Sequence, residues 1–73
     1  MKELWLQNNQ IKEIPKELSQ LINLTDLCIS YNQIKKISKE LGQLINLKIL
    51  YLNNNQIKEI PRELKERNIE IYL

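Results

Sequence analysis

The sequence contains no histidine, no phenylalanine and a single cysteine. Without histidine, the chain lacks the side chain that most often serves as a general acid or base and the most frequent metal ligand. Cys28 has no second cysteine with which to form a disulfide within the chain. We therefore expect no catalytic centre, no metal and no cofactor.

The chain also has little excess of charge and no long apolar run. Its net charge of +2 is too small to favour nucleic acid or an anionic membrane as a partner. The first residues, MKELWLQNNQ, do not form a secretory signal, and no segment approaches the roughly 18 apolar residues of a membrane span. A lone cysteine fits a reducing compartment. If the chain is the whole gene product, we expect it in the cytoplasm.

A 23-residue unit accounts for most of the 73 residues. The segments 1–23, 24–46 and 47–69 align without gaps, and they share the strings NNQIKEIPKEL, YNQIKKISKEL and NNQIKEIPREL. Such a fixed period is the signature of a repeat architecture, in which each unit buries its apolar side against the next.

Apolar residues recur at positions 1, 4, 6, 11, 14, 18 and 21 of each unit. In the second unit they are Leu24, Leu27, Ile29, Ile34, Ile37, Leu41 and Leu44. Positions 4 and 6 alternate as in a half-buried strand, whereas positions 14, 18 and 21 follow one face of a helical turn. Each unit is therefore predicted to be a strand, a turn and a short helical or 3₁₀ return. Stacked units would form a parallel sheet with strands about 4.8 Å apart.

Asparagine occupies position 9 of every unit, directly after the predicted strand: Asn9, Asn32 and Asn55. Its amide can both donate and accept hydrogen bonds. We interpret these residues as a structural asparagine ladder that satisfies turn backbone groups in their own and adjacent units.

The pattern LxxLxLxxNxIxxIPxxLxxLxx resembles the leucine-rich repeat family, in the 23-residue proline-containing form of intracellular scaffolds and short bacterial repeat proteins. The resemblance implies an α/β right-handed solenoid, a short curved arc with a parallel concave sheet and short helical or 3₁₀ convex returns. It also implies that ligands, usually proteins or peptides, bind the concave face. We expect one domain over 1–73, with repeats at 1–23, 24–46 and 47–67 or 47–69, and a partial fourth strand at 69–73.

Several positions depart from the family pattern. Met1 replaces the first leucine, and Ser38 stands where the other units have Pro15 and Pro61. A serine at this place can cap a helical turn. Arg67 replaces the leucine of position 21.

The tail NIEIYL resembles a fourth strand. Alignment of IYL with LYL at 50–52 makes the third unit about two residues shorter. Alternation then directs Ile69, Ile71 and Leu73 inward, and Glu70 and Tyr72 outward.

The strand residues between core positions should point onto the concave face, and all four aromatic residues fall there. Tryptophan and tyrosine are favoured at binding hot spots. The predicted contacts are Trp5, Tyr31, Ile49, Tyr51 and Tyr72, with Glu3, Asp26 and Asn53 as polar contacts. Alternatively, these aromatics simply suit exposed strands and pack across neighbouring strands.

Cys28 lies in the same predicted column as three of the aromatics. It could be a passive small surface residue, a free thiol that links two chains, or a nucleophile. The last interpretation is the weakest, because nucleophilic catalysis needs an activating base and there is no histidine.

The sequence thus predicts a non-catalytic module that binds a partner protein or peptide. One alternative is a self-assembling structural repeat, such as a homodimer joined through uncapped ends. Another is a fragment of a longer array with no separate activity.

Overall fold

The computed structural model describes residues 2–73, so Met1 and its predicted core position lie outside the described residues. Four short strands alternate with three helical returns. The strands are β1 (Glu3–Trp5), β2 (Asp26–Cys28), β3 (Ile49–Tyr51) and β4 (Glu70–Tyr72). The returns are two 3₁₀ helices, Lys16–Gln20 and Lys39–Gln43, and one short α-helix, α1 (Arg62–Lys65). The predicted sequence of strand and return in each unit is confirmed.

The strands form one parallel sheet in the order β1-β2-β3-β4. Leu4 pairs with Leu27, Leu27 with Leu50, and Leu50 with Ile71. Paired residues of β1 and β2, and of β2 and β3, are therefore one 23-residue repeat apart in sequence. Paired residues of β3 and β4 are two residues closer in sequence than that, as the alignment of IYL with LYL predicts. Consecutive returns also pack side by side, which places the core between the sheet and the returns.

The core consists of the repeated apolar positions. The residues predicted for the second unit are all buried: Leu24, Leu27, Ile29, Ile34, Ile37, Leu41 and Leu44. Some equivalent residues of the first and third units are also buried, such as Leu50 and Leu64, whereas others, such as Leu4, Leu6 and Ile57, are only partly buried against this cluster. Burial is thus greatest where a unit has neighbours on both sides.

The asparagine ladder joins consecutive units. The Asn32 amide donates to the carbonyl oxygens of Ile29 and Ser30 in its own unit and of Leu6 in the preceding one. Its Oδ1 atom accepts the backbone N–H of Ile11 at 3.1 Å. The structural interpretation of the ladder is thus supported by bonds both within and between units.

Asn55 repeats the arrangement one unit later. It donates to the carbonyls of Leu52 and Ile29, and accepts the N–H of Ile34 at 3.0 Å. Within the described residues, the Asn9 side chain donates only to carbonyls of its own unit. The two later ladder residues therefore fix each unit to the one before it.

At two positions that depart from the family pattern, the substituted side chains make hydrogen bonds of their own. Ser38 accepts the backbone N–H of Glu40 at 3.3 Å, which confirms the predicted cap. The Ser38 hydroxyl also donates to the Glu40 carboxylate, and this bond lowers the pKa of Glu40. The Arg67 guanidinium donates to the carbonyl of Gly42 at 3.3 Å, so a polar contact between returns stands where other units have leucine.

One of the three tail residues predicted to point toward the core does not do so. Leu73 is 73% exposed, whereas Ile69 and Ile71 pack partly against the core. Leu73 follows the last residue of β4, and no further unit of the described chain covers it. Within residues 2–73, the helices are too short and too polar to cross a membrane.

Substitution of Asn32 by alanine should destabilise the fold. The change leaves a buried N–H and several carbonyls without their partner, which should lower the free energy of unfolding by about 2–3 kcal/mol. Asn9→Ala is the matched control: it should cost under about 1 kcal/mol because Asn9 is exposed and makes no bond to a second unit. Urea denaturation followed by circular dichroism measures both losses, and equal losses would contradict the role of the ladder.

Candidate functional site: the outer face of the sheet

The outer sheet face is the side of the four strands that is turned away from the core, and it is the concave face of the predicted arc. Its residues alternate with the buried leucines along each strand. The parallel register aligns them in two rows. One row contains Glu3, Asp26, Ile49 and Glu70, and the other contains Trp5, Cys28, Tyr51 and Tyr72. The structure therefore brings six of the eight predicted contact residues onto adjoining positions of one sheet.

Three aromatic rings form a continuous layer on this face, which we term the aromatic platform: Trp5, Tyr51 and Tyr72. The centroids of the Tyr51 and Tyr72 rings are 5.0 Å apart, with 11° between the ring planes. The Trp5 and Tyr51 centroids are 6.0 Å apart, with 30° between planes. Such offset or tilted contacts are the favourable arrangements for aromatic pairs. The platform spans all four strands.

Trp5 and Tyr51 are in contact although β2 lies between their strands. Two strand spacings amount to roughly 9.6 Å, well beyond the observed distance between the rings. The residue between them in the row is Cys28, whose side chain is small. The two rings can therefore lean toward each other above the thiol.

Cys28 is not the surface residue that the strand pattern predicted. Only 7% of it is exposed, which we attribute to the Trp5 and Tyr51 rings, since these meet across the strand that carries it. Its Sγ atom lies 3.7 Å from the Ser30 hydroxyl oxygen. A thiol in this position is poorly placed to link two chains or to attack a substrate.

Carboxylates line one side of the platform. The indole N–H of Trp5 donates to Glu3 at 3.3 Å, and the hydroxyl of Tyr72 donates to Glu70 at 3.0 Å. The second bond, together with the negative charge of Glu70, raises the pKa of Tyr72. Asp26 accepts the hydroxyl of Thr25 at 2.8 Å. The bonds of Glu3 and Glu70 hold these two carboxylates at the edges of the Trp5 and Tyr72 side chains.

The other side of the platform is polar. The Ser30 hydroxyl donates to Asn53 Oδ1 at 2.6 Å, across the strands. Since this bond occupies the oxygen of Asn53, the amide N–H groups are the part of its side chain suited to contact a ligand.

Tyr31, the remaining predicted contact, does not join the platform. It lies in the turn after β2, with a φ of 58° and 54% of its surface exposed. The equivalent residues, Asn8 and Asn54, also have positive φ, and asparagine tolerates this conformation better than tyrosine does. The sequence carried this signal, because two of the three units have asparagine at the position.

The described residues, 2–73, contain no group of three or more histidine, cysteine or acidic side chains arranged to hold a metal ion. The side chains that the outer sheet face presents are stacked rings, carboxylates and an amide.

Comparisons with known proteins point to one family. The family described as Leucine Rich repeats (2 copies) matches residues 1–39 and again residues 22–66. Among solved structures, an LRR protein of Leptospira interrogans is 36% identical, with a TM-score of 0.88. The alignment covers 97% of this chain and 18% of that chain, so this chain spans under a fifth of its length. No curated protein matches the chain.

The reaction rate of the Cys28 thiol should show whether the rings of the aromatic platform cover it. In the native chain, we expect it to react with Ellman's reagent at least about tenfold more slowly than in the unfolded chain, because reaction requires access to the thiol. Trp5→Ala removes one covering ring and should accelerate the native reaction. Tyr31→Asn removes an aromatic outside the platform and should leave the rate unchanged. A fast reaction in the native wild type would show that the rings do not cover the thiol.

Tyr31→Asn should also stabilise the chain. It replaces a residue strained at positive φ by the one that both other units use there, with an expected gain of about 1 kcal/mol. Thermal and urea denaturation measure the change. A loss of stability would mean that contacts of the Tyr31 ring outweigh the backbone strain.

Proposed function

This chain belongs to the leucine-rich repeat family, and we propose that it is a non-catalytic module that binds a partner protein or peptide on the outer sheet face. Domains of this family generally act in protein–protein interaction. The observation that carries the proposal is the aromatic platform. Trp5 and Tyr72 are 50% and 47% exposed, so a partner could bury much aromatic surface there.

The composition of the face supports a contact surface rather than sheet packing alone. Cross-strand stacking would by itself explain why the three rings touch each other. It does not explain why the chain's one tryptophan and two of its three tyrosines share this face with half-buried Ile49. Tryptophan and tyrosine dominate binding hot spots because they bury a large area at small entropic cost.

The other properties of the face agree with a binding role. The chain has no histidine, and its thiol is shielded, so we propose that the module is not an enzyme. The carboxylates beside the platform would repel the phosphates of nucleic acid or of an anionic membrane. A free, shielded Cys28 suits a reducing compartment, which supports a cytoplasmic location.

Self-assembly is the second candidate function, and one observation favours it. Some apolar residues of the first and third units, such as Leu4, Leu6 and Ile57, are only partly buried, whereas the seven repeated apolar positions of the second unit are all buried. A second copy of the chain, as in a homodimer, would cover them, and so would further repeats of a longer array. Sedimentation equilibrium separates the two cases: a mass of two chains supports self-association, and a monomer at all concentrations contradicts it.

The double variant Trp5→Ala, Tyr51→Ala tests the proposed function. For a partner found by screening, we expect at least about tenfold weaker binding, because two hot-spot rings are removed. The measurement is titration calorimetry in reducing buffer, since the variant uncovers Cys28. Circular dichroism should show that the fold is retained.

Ile22→Ala, Ile45→Ala is the matched control. It removes two exposed apolar side chains in the turns after the 3₁₀ helices, away from the outer sheet face, and should leave the affinity unchanged. Undiminished binding by the aromatic double variant would show that the partner docks elsewhere.

A further inference from the structure

Charge is distributed unevenly between the outer sheet face and the rest of the chain. Three strand residues of this face are acidic, Glu3, Asp26 and Glu70, and no strand residue on it is lysine or arginine. The whole chain has a net charge of +2, with 11 basic and 9 acidic residues. The excess of positive charge thus lies outside the strand residues of the face; the nearest basic residues along the chain are Lys2 and Lys48, directly before β1 and β3.

Two of the three acidic side chains, Glu3 and Glu70, lie next to the rings. Glu3 accepts the indole N–H of Trp5, and Glu70 accepts the hydroxyl of Tyr72, each through a single oxygen atom. A carboxylate has about four acceptor sites on its two oxygens, so each retains capacity for a further donor. A ligand group lying over the platform would therefore meet aromatic faces below and carboxylate oxygens beside it.

We propose that the outer sheet face selects a cationic extended peptide segment of its partner, with arginine side chains laid over the aromatic platform and paired with Glu3, Asp26 and Glu70. This inference rests on the proposed function. The planar guanidinium group is the side chain that both stacks on aromatic rings and donates two parallel hydrogen bonds to a carboxylate.

The spacing of the strands matches such a segment. Four strands at about 4.8 Å span roughly 14 Å across the sheet. Alternate residues of an extended peptide are about 6.7 Å apart, so three of them cover the same distance. Consider a segment that runs across the strands and has arginine at every second position. Its three arginines would all lie over the platform, between β1 at one edge of the sheet and β4 at the other.

A synthetic peptide of alternating arginine and serine, with three arginines and blocked ends, is the probe. Trp5 is the chain's only tryptophan and lies in the platform, so its fluorescence reports occupancy. Titration calorimetry gives the affinity independently of that signal. We expect saturable binding that weakens with added salt, and at least tenfold weaker binding of the same peptide with citrulline in place of arginine.

Two triple variants separate local pairing from overall charge. Glu3→Gln, Asp26→Asn, Glu70→Gln should weaken binding of the arginine peptide at least tenfold. Glu13→Gln, Glu17→Gln, Glu59→Gln removes the same number of charges from exposed positions outside the strands and should leave the affinity within twofold. Equal loss in both variants, equal binding of the citrulline peptide, or no saturable binding would each overturn the inference.

The screened partner distinguishes this inference from the proposed function. If Trp5→Ala, Tyr51→Ala abolishes partner binding but the acidic triple variant does not, the face binds a partner of other chemistry and only the inference fails. If the aromatic variant leaves partner binding unchanged, the proposed function fails. Suppose that sedimentation shows a dimer, and that the Glu3, Asp26, Glu70 variant abolishes it whereas the Glu13, Glu17, Glu59 variant does not. The outer sheet face then binds a second copy of the chain, and the peptide inference fails.

Discussion

In the turns after β2 and β3, backbone N–H and C=O groups of adjacent units are buried or partly buried. The side chains of Asn32 and Asn55 satisfy these groups across two units at once. Asn32 accepts the N–H of Ile11, and Asn55 accepts that of Ile34. Unpaired groups in these turns would cost about 1–3 kcal/mol each. Because these hydrogen bonds form only when adjacent units are correctly spaced and aligned, they fix the spacing and the strand register between those units.

Fixed register converts each repeated position into a row across the sheet. The rows of leucine and isoleucine become the core, with the second unit fully covered. The same register places Trp5, Tyr51 and Tyr72 in one row on the other face. Cys28 matters there through its size, because a bulkier residue between Trp5 and Tyr51 would separate their rings. The candidate binding face is thus a consequence of the same stacking that builds the core.

The repeat predicted the strands, the returns, the core, the asparagine ladder and the serine cap, because each depends on spacing within one unit or between equal positions. It predicted less well where several units act together. The burial of Cys28 depends on two rings that lean across a strand, and strand alternation alone does not contain that information. Tyr31 lies in the turn after β2 with a left-handed backbone, a conformation that strand alternation does not predict. The third return is α-helical where the first two are 3₁₀, a difference that the repeat pattern does not predict.

The outer sheet face is the surface on which we propose that this leucine-rich repeat chain binds its partner. Backbone amide chemical shifts, measured with and without a screened partner, test it most directly. If the partner binds there, the largest changes should fall on the four strands and on the indole N–H of Trp5, with small changes on the returns. Changes concentrated on the helical returns Lys16–Gln20, Lys39–Gln43 and Arg62–Lys65, with the Trp5 indole unaffected, would contradict it.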